Sequence, residues 1–372
     1  MPSNRSAIFS VSLALAFLPS VACSGDDTST TGGGTETSTT AGSTGAGSGS
    51  GATTRPGTTS AGTDSATGSS TGAGTTTGAG TTTGAGTTGG GTSVVRFVAM
   101  GDAGEGNTRQ YEVATAVEEV CAERGCDFVL YLGDNFYDDG VSSAMDQQFI
   151  DKFEMPYEGL DLRFYVVLGN HDYGTLSNSW EKSAFEIEYT QYSDKWYLPN
   201  EWYTFTVENV QFFALDTTRL MWDNGTDDQQ TWLDGEVAAS TATWKIAFGH
   251  HPYVSNGPHG NAGNYEGVPF PPMIAGTVVK DFFDASVCGK VDVYMSGHDH
   301  DRQALEAVCG TEFFVSGAGA KLTDFVHRDD NPVHWEDDQK EGFLWVEVDG
   351  NTMHTAFFDY MGNLDFERTL QK

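Results

Sequence analysis

Five short runs of apolar, β-favouring residues punctuate the chain after residue 93: Val94–Met100, Phe128–Leu132, Phe164–Leu168, Trp244–Phe248 and Val291–Met295. They do not alternate, which predicts strands buried on both faces, as in a sheet with parallel elements covered by helices. Between the early runs, apolar residues recur at helical spacing. Thr108–Arg124 sets Val113, Ala114, Val117, Val120 and Cys121 on one face, with Asn107 or Thr108 as N-cap. Weaker helical patterns cover Ala144–Phe153, Trp180–Thr190 and Gln229–Ala239. Two later pairs read as antiparallel hairpins: Trp202–Val207 with Val210–Leu215 across Glu208-Asn209, and Phe343–Val348 with Thr352–Phe358 across Asp349-Gly350-Asn351. The expected class is a mixed-sheet α/β fold.

Residues before 94 follow neither period. Arg5 followed by the apolar stretch Ala7–Leu18 has the form of a signal peptide over residues 1–22, too short to span a bilayer. Ser20-Val21-Ala22-Cys23 resembles a bacterial lipoprotein cleavage box, with Cys23 as the lipidated residue and Ser20 where Leu is usual. Residues 23–93 are almost entirely Gly, Ser, Thr and Ala and repeat GAGTTT over 72–86. Such a segment lacks the apolar surface to offset its ordering entropy, so a flexible tether is expected, reaching roughly 50 Å for about 70 residues. The compact block is therefore 94–372, ample for one large core.

Almost all of the net charge of −33 belongs to that block, which nets −31, because residues 1–93 carry only Arg5 and Arg55 against Asp26, Asp27, Glu36 and Asp64. A surface this acidic opposes nucleic-acid binding. Setting Cys23 aside leaves Cys121, Cys126, Cys288 and Cys309, an even number that favours two disulfides in an exported protein. Proximity in sequence favours Cys121 with Cys126 and Cys288 with Cys309. Location outside the cytoplasm is expected, either secreted or anchored by lipid at Cys23, with no other contact to a membrane.

The five core strands share a further feature. Each stops at a Gly, and each Gly precedes a potential metal ligand: Gly101 before Asp102, Gly133 before Asp134, Gly169 before Asn170 and His171, Gly249 before His250 and His251, and Gly297 before His298, Asp299 and His300. One Gly-His alone is usually a turn with a solvated imidazole, and Asp in a turn is usually a cap. Five repeats are not explained that way, because ligands of α/β sheets bind beyond the carboxyl ends of strands. Tyr137, between Asp134 and Asp138-Asp139, adds a phenol to a turn that does not need one.

In order, GDAG, GDNFY, GNHD, GHHP and GHDH resemble the five blocks of the calcineurin-like metallophosphoesterases, and more narrowly the purple acid phosphatases of the small, tartrate-resistant type. The resemblance implies a β-sandwich of mixed sheets flanked by helices, with a dinuclear metal site at the strand ends. It implies a ferric site of Asp102, Asp134, Tyr137 and His300, and a divalent Fe(II), Zn(II) or Mn(II) site of Asp134, Asn170, His250 and His298, bridged by Asp134. Carboxylate and phenolate oxygens suit a trivalent ion, imidazole and amide a divalent one. Most members of the wider superfamily carry Asp-x-His in the first block. Here Gly104 stands in place of that His, and Tyr137 is expected to restore the ligand.

The same resemblance makes His171 and His259 the catalytic histidines, able to hold phosphate and protonate the leaving alcohol. Asp172 is expected either to orient the His171 ring or to cap the turn. His251 stands near the metals in place of the Tyr of mammalian relatives. His327, His334 and His354 match no block. The expected function is an exported acid phosphatase, kept from nucleic acid by its charge, acting as a monomer on small phosphate monoesters. The alternatives are a phosphodiesterase or nucleotide hydrolase on the same scaffold, and a tethered protein that only binds phosphate.

Overall fold

The computed structural model describes residues 94–372, so the expected signal peptide, the expected tether and Cys23 lie outside the described residues. In chain order the strands are β1 (Val95–Met100), β2 (Phe128–Tyr131), β3 (Arg163–Val166), β4 (Trp196–Tyr197), β5 (Tyr203–Val207), β6 (Val210–Ala214), β7 (Trp244–Phe248), β8 (Val293–Ser296), β9 (Arg302–Leu305), β10 (Glu312–Ser316), β11 (Val333–Asp337), β12 (Gly342–Asp349), β13 (Thr352–Asp359) and β14 (Leu364–Gln371). They form two seven-stranded sheets, ordered β14-β13-β12-β1-β2-β3-β4 and β11-β9-β10-β8-β7-β6-β5. Both mix directions: in the first, β1 to β4 run parallel and β12, β13 and β14 extend the sheet antiparallel from β1, while in the second β6, β7, β8 and β10 run parallel between antiparallel margins at β5 and at β9 and β11. The expected mixed-sheet sandwich is the fold observed.

Aromatic rings join the sheets. Phe97 of β1 stacks on Phe128 of β2 at 5.3 Å, and Phe212 of β6 meets both edge-on at 5.4 and 5.3 Å. All three are buried, and a ring of this size contributes about 1.5–3 kcal/mol on burial. This contact fixes the distance between the sheets whose ends carry the candidate ligands.

The helices are α1 (Thr108–Arg124), α2 (Glu181–Tyr189), α3 (Thr217–Met221), α4 (Thr226–Ala239), α5 (Pro272–Ala275) and α6 (Thr277–Ser286). Of the two candidate caps, Asn107 takes the role: its side chain accepts from the Gln110 amide at 2.9 Å. The helix ends at Gly125, at φ 85. The helix expected over Ala144–Phe153 does not form as such. The Asp146 carboxylate accepts from the Ser142 amide and hydroxyl and from the Gln148 amide, holding the segment in turns, and only a short π turn follows at Ile150–Glu154. α6 goes beyond the sequence expectation, although its buried Val279, Phe282, Phe283 and Ser286 keep helical spacing. Both disulfides pair as expected, Cys121 with Cys126 and Cys288 with Cys309. Among the described residues no helix is long and apolar enough to cross a membrane.

Candidate metal centre

The carboxyl ends of β1, β2 and β3 in one sheet and of β7 and β8 in the other converge on one point. Asp102, Asp134 and His250 are buried there and offer ligand atoms within 4.8 Å of one another. Their backbones are special. Asp102, Asp134 and His298 adopt φ of 57, 52 and 71, the left-handed region that residues with a Cβ seldom occupy. Strain of this kind persists where surrounding contacts enforce it, and it gathers at functional sites.

The donors fall into two adjoining sets. In the first, the Tyr137 hydroxyl donates to Asp102 Oδ1 at 2.9 Å, and His300 Nε2 lies 3.3 Å from the hydroxyl and 3.5 Å from the same carboxylate. In the second, His250 Nε2 faces Asn170 Oδ1 at 3.0 Å, His298 Nδ1 at 3.1 Å and Asp134 Oδ1 at 3.4 Å. The His250 Nδ1–H donates to the Leu132 carbonyl at 3.0 Å, which turns Nε2 toward these lone pairs. Acceptors packed this closely need a proton or a metal between them.

The electrostatics make the same demand. Burial lowers the His250 imidazole, but Asp134 and Asp102 outweigh it and bring it up to about 9. Burial raises the Asp134 carboxyl, but His250 and His171 outweigh it and hold it below the usual range. Burial, then Asp102 and Asp134, push the Tyr137 phenol well up. Burial and the neighbouring histidines push His298 well down, which leaves its ring a neutral donor. Oxygen and nitrogen donors in two adjoining sets around a buried negative site fit metal cations.

Gly104 has a steric explanation. A Cβ there would lie 2.2 Å from the backbone carbonyl of Asn135, so no histidine fits. The β2 loop fills the space: Gly104 N–H donates to the Asp134 carbonyl and Tyr137 N–H to the Gly104 carbonyl. The loop that excludes a side chain at 104 thus delivers the phenol. Gly169 likewise admits Asp134, whose backbone nitrogen and Oδ1 would each be 2.2 Å from an added Cβ.

The remaining site residues lie around this centre. His171 N–H donates to Asp134 Oδ1 at 2.9 Å, and its Nδ1 meets the Asp138 carbonyl at 2.8 Å. Asp172 therefore does not orient the His171 ring. Instead it is buried and accepts from the amides of Asn135, Phe136 and Gly169 and from the Asn135 side chain, pinning the β2 and β3 loops together. His251 bonds Thr217 Oγ1 at 2.9 Å, and its ring lies 4.4 Å from that of His298. His259 stacks on His298 at 4.0 Å, and its Nδ1 is paired with Glu266. Its backbone N–H donates to the buried Asp299 at 2.9 Å. His327 and His354 pair with Glu336 and Glu367, away from these donors.

Sequence reasoning missed Glu266 and gave Asp299 no role. Asp299 had a readable signal, an acid between two candidate ligands. Glu266 had none, since its pairing depends on how the loop after His259 folds back.

Residues 95–302 match the model of the calcineurin-like phosphoesterase family. The chain belongs to this family. Among curated phosphoesterase relatives it is 28% identical to tartrate-resistant acid phosphatase type 5 of Homo sapiens, over 76% of this chain and 93% of that one. It is also 28% identical to purple acid phosphatase 3 of Arabidopsis thaliana, over 73% and 76%. A solved structure titled GAP50, the anchor in the inner membrane complex of Plasmodium, aligns with TM-score 0.60 at 22% identity, over 75% of this chain and 89% of that one, and shares the phosphoesterase fold. Membership makes the protein a hydrolase of phosphoric ester bonds, and the donor cluster at the strand ends is where a phosphoesterase would hold its two metals.

Proposed function

We propose that this protein is an exported acid phosphatase that hydrolyses phosphate monoesters at a centre of Fe(III) with a divalent Fe, Zn or Mn ion. The observation that carries the reading is Tyr137, whose hydroxyl lies 2.9 Å from Asp102 and 3.3 Å from His300 where Gly104 leaves room for no histidine. A phenolate beside carboxylates is a donor set for a trivalent ion. Asp102, Asp134, Tyr137 and His300 would hold it, and Asp134, Asn170, His250 and His298 the divalent partner. When bound, such a pair lowers the pKa of a water and neutralises charge on phosphate oxygens.

The chain's own groups do the rest. Leu132 fixes the His250 tautomer by accepting from Nδ1. The Asp138 carbonyl holds His171 Nδ1, which leaves Nε2 for a phosphate oxygen. Glu266 holds His259 Nδ1, which leaves Nε2 to donate a proton to the departing alkoxide. Burial lowers His259, but Glu266, Asp299 and Asp102 outweigh it, so the imidazole keeps its proton to higher pH. Export, with or without lipid at Cys23, is supported by the two disulfides and by the form of residues 1–23.

Metal analysis with a visible spectrum, and phosphate release from a monoester against a diester, test the proposal together. Iron, an intense phenolate-to-iron band and preference for the monoester are expected. Two bound metals with ferric iron and no such band would remove Tyr137 from the ligands. Faster diester cleavage would replace the substrate class.

A further inference from the structure

We infer that Lys321 tunes the Tyr137 phenolate, setting the energy at which charge moves between this ring and the ferric ion. The inference rests on the ferric reading proposed above. The Lys321 ammonium lies 3.3 Å from the centroid of the Tyr137 ring, closer than any other cation–ring pair among the described residues. Its placement is built in. After β10, Gly319 N–H donates to the Gly101 carbonyl, and Thr323 N–H donates to the His300 carbonyl. The segment is thereby tied beside Asp102 and at His300, with Lys321 between the ties. Glu105 pairs with the ammonium at 2.7 Å, and both side chains are about one quarter exposed. A second lysine, Lys152, grips the Tyr137 backbone carbonyl, which restrains the ring beneath Lys321.

A cation over an aromatic face is attracted to it, and more strongly when the ring carries phenolate charge. It acts more strongly on charge in the ring than on charge at an ion beyond the hydroxyl oxygen. Light absorbed in the phenolate-to-iron band moves an electron from ring to metal. Lys321 therefore stabilises the state before the transfer more than the state after it, and places the band at shorter wavelength. It also favours the ferrous over the ferric ion.

Iron-loaded full-length protein is compared with Lys321→Met, Lys321→Arg and Glu105→Gln by visible spectroscopy and reductive titration. Lys321→Met is expected to move the band to longer wavelength and make the ferric ion harder to reduce. Lys321→Arg should stay near the wild type, because it keeps the charge. Glu105→Gln, which removes the counter-charge, should shift the band to shorter wavelength and gives an independent reading if Lys321→Met does not fold. A band at the wild-type wavelength in folded Lys321→Met, or in Glu105→Gln where Lys321→Met does not fold, overturns the role of Lys321 while leaving the ferric reading intact. A wild type that binds ferric iron without the band overturns the ferric-phenolate reading and this inference with it.

Discussion

The two sheets contribute opposite chemistry to one centre. The ends of β1, β2 and β3 bring oxygen donors, Asp102, Asp134, Tyr137 and Asn170, whereas the ends of β7 and β8 bring only imidazoles, His250, His298 and His300. Each side orients the other. The Leu132 carbonyl of the first sheet fixes the His250 ring, and Asp102 accepts from the His298 backbone N–H at 2.8 Å. The halves also differ in how they are held. On the oxygen side Asp172 pins the loops from inside the core, while on the imidazole side His259 sits on a partly exposed loop braced by Glu266. The site is a property of the seam between the sheets. Its rigid side suits metal holding, and its more open side suits contact with a leaving group.

Breaking the seam at its shared member should have the largest effect. Asp134→Ala removes the carboxylate that the proposed function shares between both metals, so metal content should fall below one per chain and phosphate release to the background of metal-free protein; elemental analysis beside the assay checks this. On the imidazole side, His259→Ala should keep both metals and lower turnover by about 10²–10⁴-fold. Equal loss of metal in that variant would erase the distinction between a holding side and a reacting side.

Asp172→Ala sharpens the oxygen side. It strands amides of Asn135, Phe136 and Gly169, so chemical denaturation should show a loss of at least about 3 kcal/mol. Metal affinity should weaken about 10–100-fold, as when an outer hydrogen bond to a ligand loop is cut. Glu266→Gln should have the smallest effect, read in the pH profile. Because Glu266 raises His259 against the opposing effect of burial, its loss should shift the alkaline limb of turnover to lower pH, with metals and fold retained. An unmoved limb would show that Glu266 does not act through His259.

Much of this centre is legible in the chain because its signals are local. An apolar run, a Gly and a ligand type lie within a few residues, and the pattern repeats five times. The gap at Gly104 beside the extra Tyr137 is legible for the same reason. The Ala144–Phe153 segment misleads because Asp146 offers its backbone a competing set of hydrogen bonds. Asp172 is read correctly only as one of two options, since its partners Asn135 and Gly169 belong to different loops. Lys321 and Glu266 are invisible because neither stands in a motif.

By itself the sequence determines the strand ends, their glycines, the ligand types and the order in which they come, since each depends on the conformation of a few adjacent residues. The tertiary structure decides which atoms face one another. His250 Nε2 and Asn170 Oδ1 come to 3.0 Å although eighty residues separate them, and Lys321 reaches the Tyr137 ring from the loop that follows β10 in the opposite sheet. Such distances follow from the packing of whole sheets on a shared aromatic core, a sum over many contacts that no local pattern carries.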